Sequence, residues 1–114
     1  MDIQRLNIGV SDQYEAAFKY YQILNVVNSL ELTDSEIQLI AFSAIKGNIT
    51  DKEIREEFCS LYKTTVATIN NMVYRMKKKD IFLKEGKKIF VNPQINQLDF
   101  SKTFGLVMSI KLNQ

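Results

Sequence analysis

Apolar residues recur every three or four positions over Asp34–Lys46, which predicts a helix with one buried face. Thr33 and Glu36 match the capping box, in which two side chains bond to free amides at a helix start. Gly47 fits the left-handed position that commonly ends a helix. The predicted buried stripe is Ile37, Ile40, Ala41, Ala44 and Ile45.

Two further helices are predicted downstream. Over Asp51–Cys59, Thr50 and Glu53 repeat the capping-box pattern. Over Thr65–Lys79, Thr64 is the expected N-cap, because its hydroxyl can accept a bond from a free backbone amide. The residues expected to face inward are Ile54, Phe58 and Leu61 for the first helix and Val66, Ile69, Met72, Val73 and Met76 for the second.

A tight hairpin is expected next. The apolar runs Ile81–Leu83 and Ile89–Val91 flank the charged residues 84–88. Gly86 suits the positive φ that a short hairpin turn requires, and Asn92-Pro93 closes the second run.

The ends of the chain have patterns of their own. Residues 12–30 predict a helix with two apolar stripes, one expected to face its own domain and the other a second copy of the chain. Strict alternation over 5–10 and 106–112 predicts two short strands, which could pair with each other or with a neighbouring subunit. The expected fold is mainly α with a small β wing. It divides into residues 1–31 (strand, helix and dimerisation element), 32–93 (helix-turn-helix with wing) and 94–114 (C-terminal extension).

The net charge of +2 conceals an uneven distribution along the 114 residues. Residues 1–57 contain 5 basic and 10 acidic side chains, and residues 58–114 contain 10 basic and 3 acidic ones. Residues 63–88 alone have 8 basic and 2 acidic side chains, a balance of +6. Such a patch favours an anionic partner, although a solvated surface is the plain alternative.

Four short motifs mark the order helix, helix, turn, helix, hairpin: Leu32–Glu36, Ile49–Ile54, Thr64–Ile69 and Arg75–Phe82. This order resembles the winged helix-turn-helix class of DNA-binding domains. The first three motifs resemble the GerE type and the last resembles the MarR type, and the likeness covers about 60 of the 114 residues.

The resemblance implies a transcriptional regulator that docks helix 65–79 in the major groove of double-stranded DNA, with wing 84–88 on the adjacent backbone. Short polar side chains suit base edges and late basic ones suit phosphates. The expected contacts are Thr64, Thr65, Thr68, Asn71, Arg75, Lys78, Lys79, Lys84, Lys87 and Lys88.

The composition argues against catalysis and metal binding. There is no His and only one cysteine, Cys59, so the usual zinc sets and catalytic Cys–His pairs are excluded. No cofactor is expected, since the four glycines are isolated. With no membrane-length apolar run or leader pattern, a cytoplasmic protein is expected. The two apolar stripes of residues 12–30 favour a homo-oligomer. The alternative function is a phage or mobile-element assembly protein that uses the same fold, with its terminal strands, for protein contacts.

Overall fold

The computed structural model describes residues 2–95 and 98–112. It confirms a mainly helical fold with a small antiparallel hairpin. Its helices are α1 (Gln13–Val27), α2 (Asp34–Lys46), α3 (Lys52–Tyr62) and α4 (Val66–Lys78). The strands are β1 (Phe82–Glu85) and β2 (Lys88–Val91), and a single 3-10 turn (Pro93–Ile95) follows them.

Helix α2 lies at the centre of the core. It packs against α1, α3 and β2, and seven of its 13 residues are buried. Phe42 is completely buried, with its ring centroid 5.4 Å from that of Phe58 and 5.8 Å from that of Tyr14. The predicted ends of α2 are confirmed: the capping box of Thr33 is formed, and Gly47 has a φ of +95°.

The predicted capping box of Thr50 and Glu53 is wrong. Asp51 is the N-cap of α3 and makes no side-chain cap bond. Asn48 Oδ1 accepts bonds from the amides of Thr50 and Asp51, which holds the loop before the helix. The Thr50 hydroxyl instead accepts a 2.7 Å bond from the amide of Ile89 in β2, so a long-range partner has taken the group that the local pattern assigned to capping.

The N-cap of α4 also differs from the prediction. The Thr65 side chain, not that of Thr64, accepts the capping bond from the amide of Thr68. The turn before it is tightened by Lys63, whose backbone is left-handed. Leu61 and Val66 were expected in the core but are 59% and 46% exposed, because they lie beside this turn at the ends of their helices.

The hairpin is fastened to the helices by the loop between α2 and α3. Its strands pair in register from Phe82 with Val91 to Glu85 with Lys88, which leaves two residues in the turn. Gly86, the first of them, has a φ of +62°, which non-glycine residues rarely adopt. The amide of Ile49 donates a 2.9 Å bond to the Ile89 carbonyl, alongside the Thr50 contact. Strand β2 is therefore hydrogen-bonded on one side to β1 and on the other side to the loop between α2 and α3.

Helix α1 is covered on its second stripe by the same chain. The ring centroid of Tyr20 lies 5.6 Å from that of Phe100 and 5.9 Å from that of Phe104. The end of α1 is open, since Val26 and Val27 are 77% and 52% exposed. Tyr20 is therefore already covered within one chain, and the expectation that a second copy packs on α1 stays a prediction, which only the open end of the helix could satisfy.

The two predicted terminal strands are absent from the described residues. Residues 2–10 and 103–112 form no strand and share no backbone hydrogen bond with any described residue. Alternating apolar and polar residues allow a strand to bury one of its two faces, but a strand forms only where its backbone can hydrogen-bond to a neighbouring strand. Within one copy neither segment meets such an edge.

Replacing Thr50 tests whether the loop bond anchors the hairpin. Thr50→Val keeps the side-chain shape and removes the hydroxyl, which leaves the Ile89 amide without this partner. We expect a loss of about 1 kcal/mol in the free energy of unfolding, measured by urea denaturation. Thr50→Ser is the matched control, since it retains the hydroxyl. Equal stability of the Val and Ser variants would contradict the anchoring role.

Tyr21→Phe tests a buried hydroxyl. The Tyr21 side chain is 2% exposed, and its hydroxyl has no hydrogen-bond partner among the described residues. Burial raises the pKa of this phenol, which remains protonated. Because an unpartnered buried polar group is costly, the variant should unfold at the same or a higher urea concentration, with a gain of up to about 1 kcal/mol. A clear loss of stability would show that the hydroxyl has a partner.

Candidate nucleic-acid interface

Helix α4 presents one buried face and one exposed polar face. The buried face packs against the core and consists of Ile69, Met72, Val73 and Met76. At 100° per residue, the centre of the opposite face is formed by Ala67, Asn71, Tyr74 and Lys78, all exposed. Two of the predicted DNA contacts, Asn71 and Lys78, thus lie at the centre of this face. Thr68 and Arg75 lie at its edge.

The start of α4 is organised by two threonines. The Thr65 hydroxyl lies 3.2 Å from the amide nitrogen of Thr68 and 3.0 Å from its hydroxyl oxygen. Both side chains are exposed, next to the positive end of the helix dipole. Thr64 is half-buried, and its amide donates to the carbonyl of Cys59. Thr65 and Thr68 are therefore better placed than Thr64 for an external anion.

Arg75 is engaged inside the protein. Its Nε lies 3.3 Å from Oε2 of Glu36, whose side chain is 5% exposed. The other oxygen of Glu36 accepts a 3.0 Å bond from the Thr33 amide in the capping box. The guanidinium group of Arg75 therefore neutralises a buried carboxylate, while the rest of this side chain, which is 53% exposed, lies at the edge of the α4 face. This role is structural and was not predicted.

Two of the predicted lysines are also held by protein groups. Lys79 follows the last residue of α4 and donates a 2.8 Å bond to the carbonyl of Leu30, in the α1–α2 loop. Lys88 forms an ion pair with Asp51 at the start of α3. The hydrogen bond from Lys88 is the main reason that the pKa of Asp51 is lowered, and the hydrogen bond from the Asn48 side chain contributes as well.

Three of the predicted contacts are exposed and have no polar or cation–π partner among residues 2–95 and 98–112: Asn71, Lys84 and Lys87. Lys78 makes no hydrogen bond or ion pair there either, but its ammonium group lies over the ring of Tyr74. The two lysines lie on the hairpin, Lys84 in β1 and Lys87 in the turn. The net charge of residues 63–88 is +6. It falls to +4 when the two carboxylates that pair with this segment, Glu36 and Asp51, are included.

Tyr74 is a component of this face that the sequence reasoning missed. Its ring is 59% exposed, and Lys78 Nζ lies 4.5 Å from the ring centroid. The cation–π contact orients the lysine over the outer surface of the helix. The spacing of Asn71, Tyr74 and Lys78 would have placed them on one face, but a tyrosine in an amphipathic helix is more readily assigned to a core.

Arg55 fixes the orientation of α4 relative to α3. Its Nε donates a 2.8 Å bond to the carbonyl of Ile49, and its Nη1 donates a 2.6 Å bond to Oδ1 of Asn70. One guanidinium group thereby joins the loop that anchors the hairpin to the second turn of α4. The exposed face of α4 and the hairpin are thus parts of one bonded unit.

In the described part of the chain, no group of three or more His, Cys, Asp or Glu side chains is arranged to hold a metal ion. None of the described helices combines the length and apolarity needed to cross a bilayer. No protein-family model, curated protein or solved structure matches the chain.

Arg75→Ala tests the internal role of this arginine. Removing it leaves the Glu36 carboxylate buried with one partner fewer. A buried charge that loses its partner costs several kcal/mol, and the half-exposure of Arg75 reduces this to about 1–2 kcal/mol in urea denaturation. Lys78→Ala is the exposed control on the same helix, expected within about 0.5 kcal/mol of the native protein.

A double-mutant cycle completes this test. In the Glu36→Gln background, Arg75→Ala should cost less than in the native protein, because no buried charge remains to be balanced. Additive effects of the two substitutions would contradict the pairing.

Proposed function

We propose that the chain binds double-stranded DNA through the exposed face of α4 and the hairpin that follows it. The observation that carries this proposal is the group of exposed Asn71, Lys84 and Lys87, which have no partner among the described residues. Within the same segment, Arg75 and Lys88 already have carboxylates. The net charge of residues 63–88 is +4 when the carboxylates of Glu36 and Asp51 are included. Exposed donors without partners on such a positive segment favour a polyanion as the ligand.

An exposed helix face of this composition suits the major groove. The Asn71 amide can pair with both major-groove edge groups of adenine, and the Thr68 methyl can contact thymine. Lys78, held over Tyr74, is suited to a phosphate beside the groove. Lys84 and Lys87 on the hairpin would contact the adjacent backbone, which adds affinity without reading sequence. Thr65 would add an anion contact at the helix start.

The structural roles of Arg75, Lys79 and Lys88 revise the original set of contacts. Each keeps its charge near the interface, but each also donates to a group of the protein. We propose that they contribute to the field of the surface, and that Asn71, Lys78, Lys84 and Lys87 make the closest contacts. A small sequence-specific regulator of transcription is the biological role that this proposal favours.

A protein-binding adaptor, such as a phage or mobile-element assembly protein, is the second candidate function. Val66 and Tyr74, exposed and two turns apart on α4, favour it. Apolar and aromatic side chains of this kind are typical of protein interfaces. The two functions differ in their dependence on salt, because an apolar contact does not release counterions.

Fluorescence anisotropy with a labelled random-sequence duplex tests the DNA proposal. If about four phosphates are neutralised, affinity should fall on the order of 100-fold between about 50 and 200 mM salt. Lys84→Ala with Lys87→Ala should weaken binding and lower the salt slope by about 2, since each phosphate contact contributes about 1.

The matched control is Lys102→Ala, which removes an exposed lysine from the C-terminal segment. It should leave both affinity and slope nearly unchanged. No binding at low salt, or equal effects of the hairpin and control variants, would overturn the DNA proposal. Binding that is insensitive to salt would favour an adaptor-like apolar surface.

A further inference from the structure

The two ends of the chain line one open groove along α1. We call residues 2–10 the N-arm and residues 103–112 the C-arm. Leu6 and Ile8 of the N-arm and Leu106 and Met108 of the C-arm border the groove, together with Tyr20. Nine of the 14 large apolar side chains that are exposed in the described residues belong to the arms: Ile3, Leu6, Ile8, Val10, Leu106, Val107, Met108, Ile110 and Leu112.

The arms lack the partners that their composition requires. Neither arm has a backbone hydrogen bond to a described residue, so the backbone donors and acceptors of both arms have no backbone partner in the part of the chain that the structure describes. Val107 and Ile110 are both 97% exposed. Free backbone groups next to exposed apolar side chains are the features that allow a segment to add to a strand of another chain.

The C-arm is complementary to itself. Its alternate apolar residues, Leu106, Met108, Ile110 and Leu112, are symmetric about Ser109. In an antiparallel pair centred there, Leu106 of one copy lies opposite Leu112 of the other, and Met108 lies opposite Ile110. All eight of these side chains then share one face of the ribbon.

Charge and register favour the same arrangement. Lys111, the only charged residue of the C-arm, would lie opposite Val107 and not opposite a second lysine, so like charges do not meet. A slip by one residue would mix the apolar and polar faces. The N-arm has a shorter alternation of Leu6, Ile8 and Val10, and the two arms of one copy do not pair although they border the same groove.

We infer that two copies of this chain associate through their C-arms, as an antiparallel two-stranded ribbon centred on Ser109. Because an isolated two-stranded ribbon is barely stable in water, its apolar face needs a surface to cover. The groove along α1 provides one: Leu106 and Met108 border it already, and Met108 also lies beside a second groove lined by Val26 and Val27. The contact is isologous, as most dimer interfaces are.

Sedimentation equilibrium of the full chain tests the association. The native protein should have a mass near twice the 13.2 kDa of one chain at high concentration. Met108→Glu with Ile110→Glu places four carboxylates on the apolar face and should give a monomer. Both positions are exposed in the single chain and lie outside the helices, so the helical part of the far-ultraviolet circular dichroism spectrum should not change. Leu61→Ser, which removes an exposed apolar residue of α3, is the control and should remain dimeric.

Disulfide trapping tests the register. In a Cys59→Ser background, Ser109→Cys should form a covalent dimer under mild oxidation, because directly opposed residues of an antiparallel pair have the spacing that a disulfide needs. Ser60→Cys, at an exposed serine of α3, is the matched control and should remain uncrosslinked. A monomeric native protein, a dimer that survives the two glutamates, or equal crosslinking at both positions would each overturn the inference.

Discussion

Helix α2 is buried on three sides, and the other elements are arranged around it. The helix is enclosed by α1, α3 and β2, and its ring Phe42 meets aromatic side chains from two other helices. Even its buried polar groups are bonded: the Ser43 hydroxyl donates to the carbonyl of Leu39, and Glu36 accepts from Thr33 and Arg75. Because buried polar groups without partners are costly, these bonds limit how the neighbouring elements can pack.

The exposed face of α4 follows from that packing. Arg75 reaches the first turn of α2, and Lys79 reaches the carbonyl of Leu30 in the loop before α2. These bonds, together with that of Arg55 to Asn70, set the rotation of α4 about its axis. The face left outward is the one that carries Asn71, Tyr74 and Lys78. The charges that hold the helix are thus different from those that remain available to a ligand.

Sequence reasoning succeeded where the signals were local. The bounds of α2 agree to the residue, because Thr33, Glu36 and Gly47 act within one turn of its ends. It failed where a distant group competed for the same atom. Thr50 had the sequence pattern of a cap, yet its hydroxyl bonds to Ile89, 39 residues away. Arg75 as a DNA contact stays a prediction, whereas its bond to Glu36, also 39 residues away, was not predicted because no local pattern indicates it.

The terminal segments show a different limit. Their alternation predicts which side chains would share a face of a strand, but strand formation depends on an edge that a single copy does not supply. For the candidate interface, the basic segment and the polar face of α4 could be predicted from the sequence. Which of the interface side chains bond within the protein, and which remain free of such bonds in the described residues, depends on tertiary contacts that the sequence pattern does not contain. Tyr74 was missed for a similar reason: its ring is exposed, but helical spacing alone does not distinguish an exposed ring from a buried one.

The DNA surface that we propose consists of the outward face of α4 and the hairpin. Amide chemical-shift mapping of the isotope-labelled full chain during titration with a short duplex would locate the binding surface residue by residue. We expect salt-sensitive shifts concentrated in residues 65–78 and 84–88, with little change in residues 13–23 of α1. An absence of shifts at low salt, or shifts centred on α1, would contradict it.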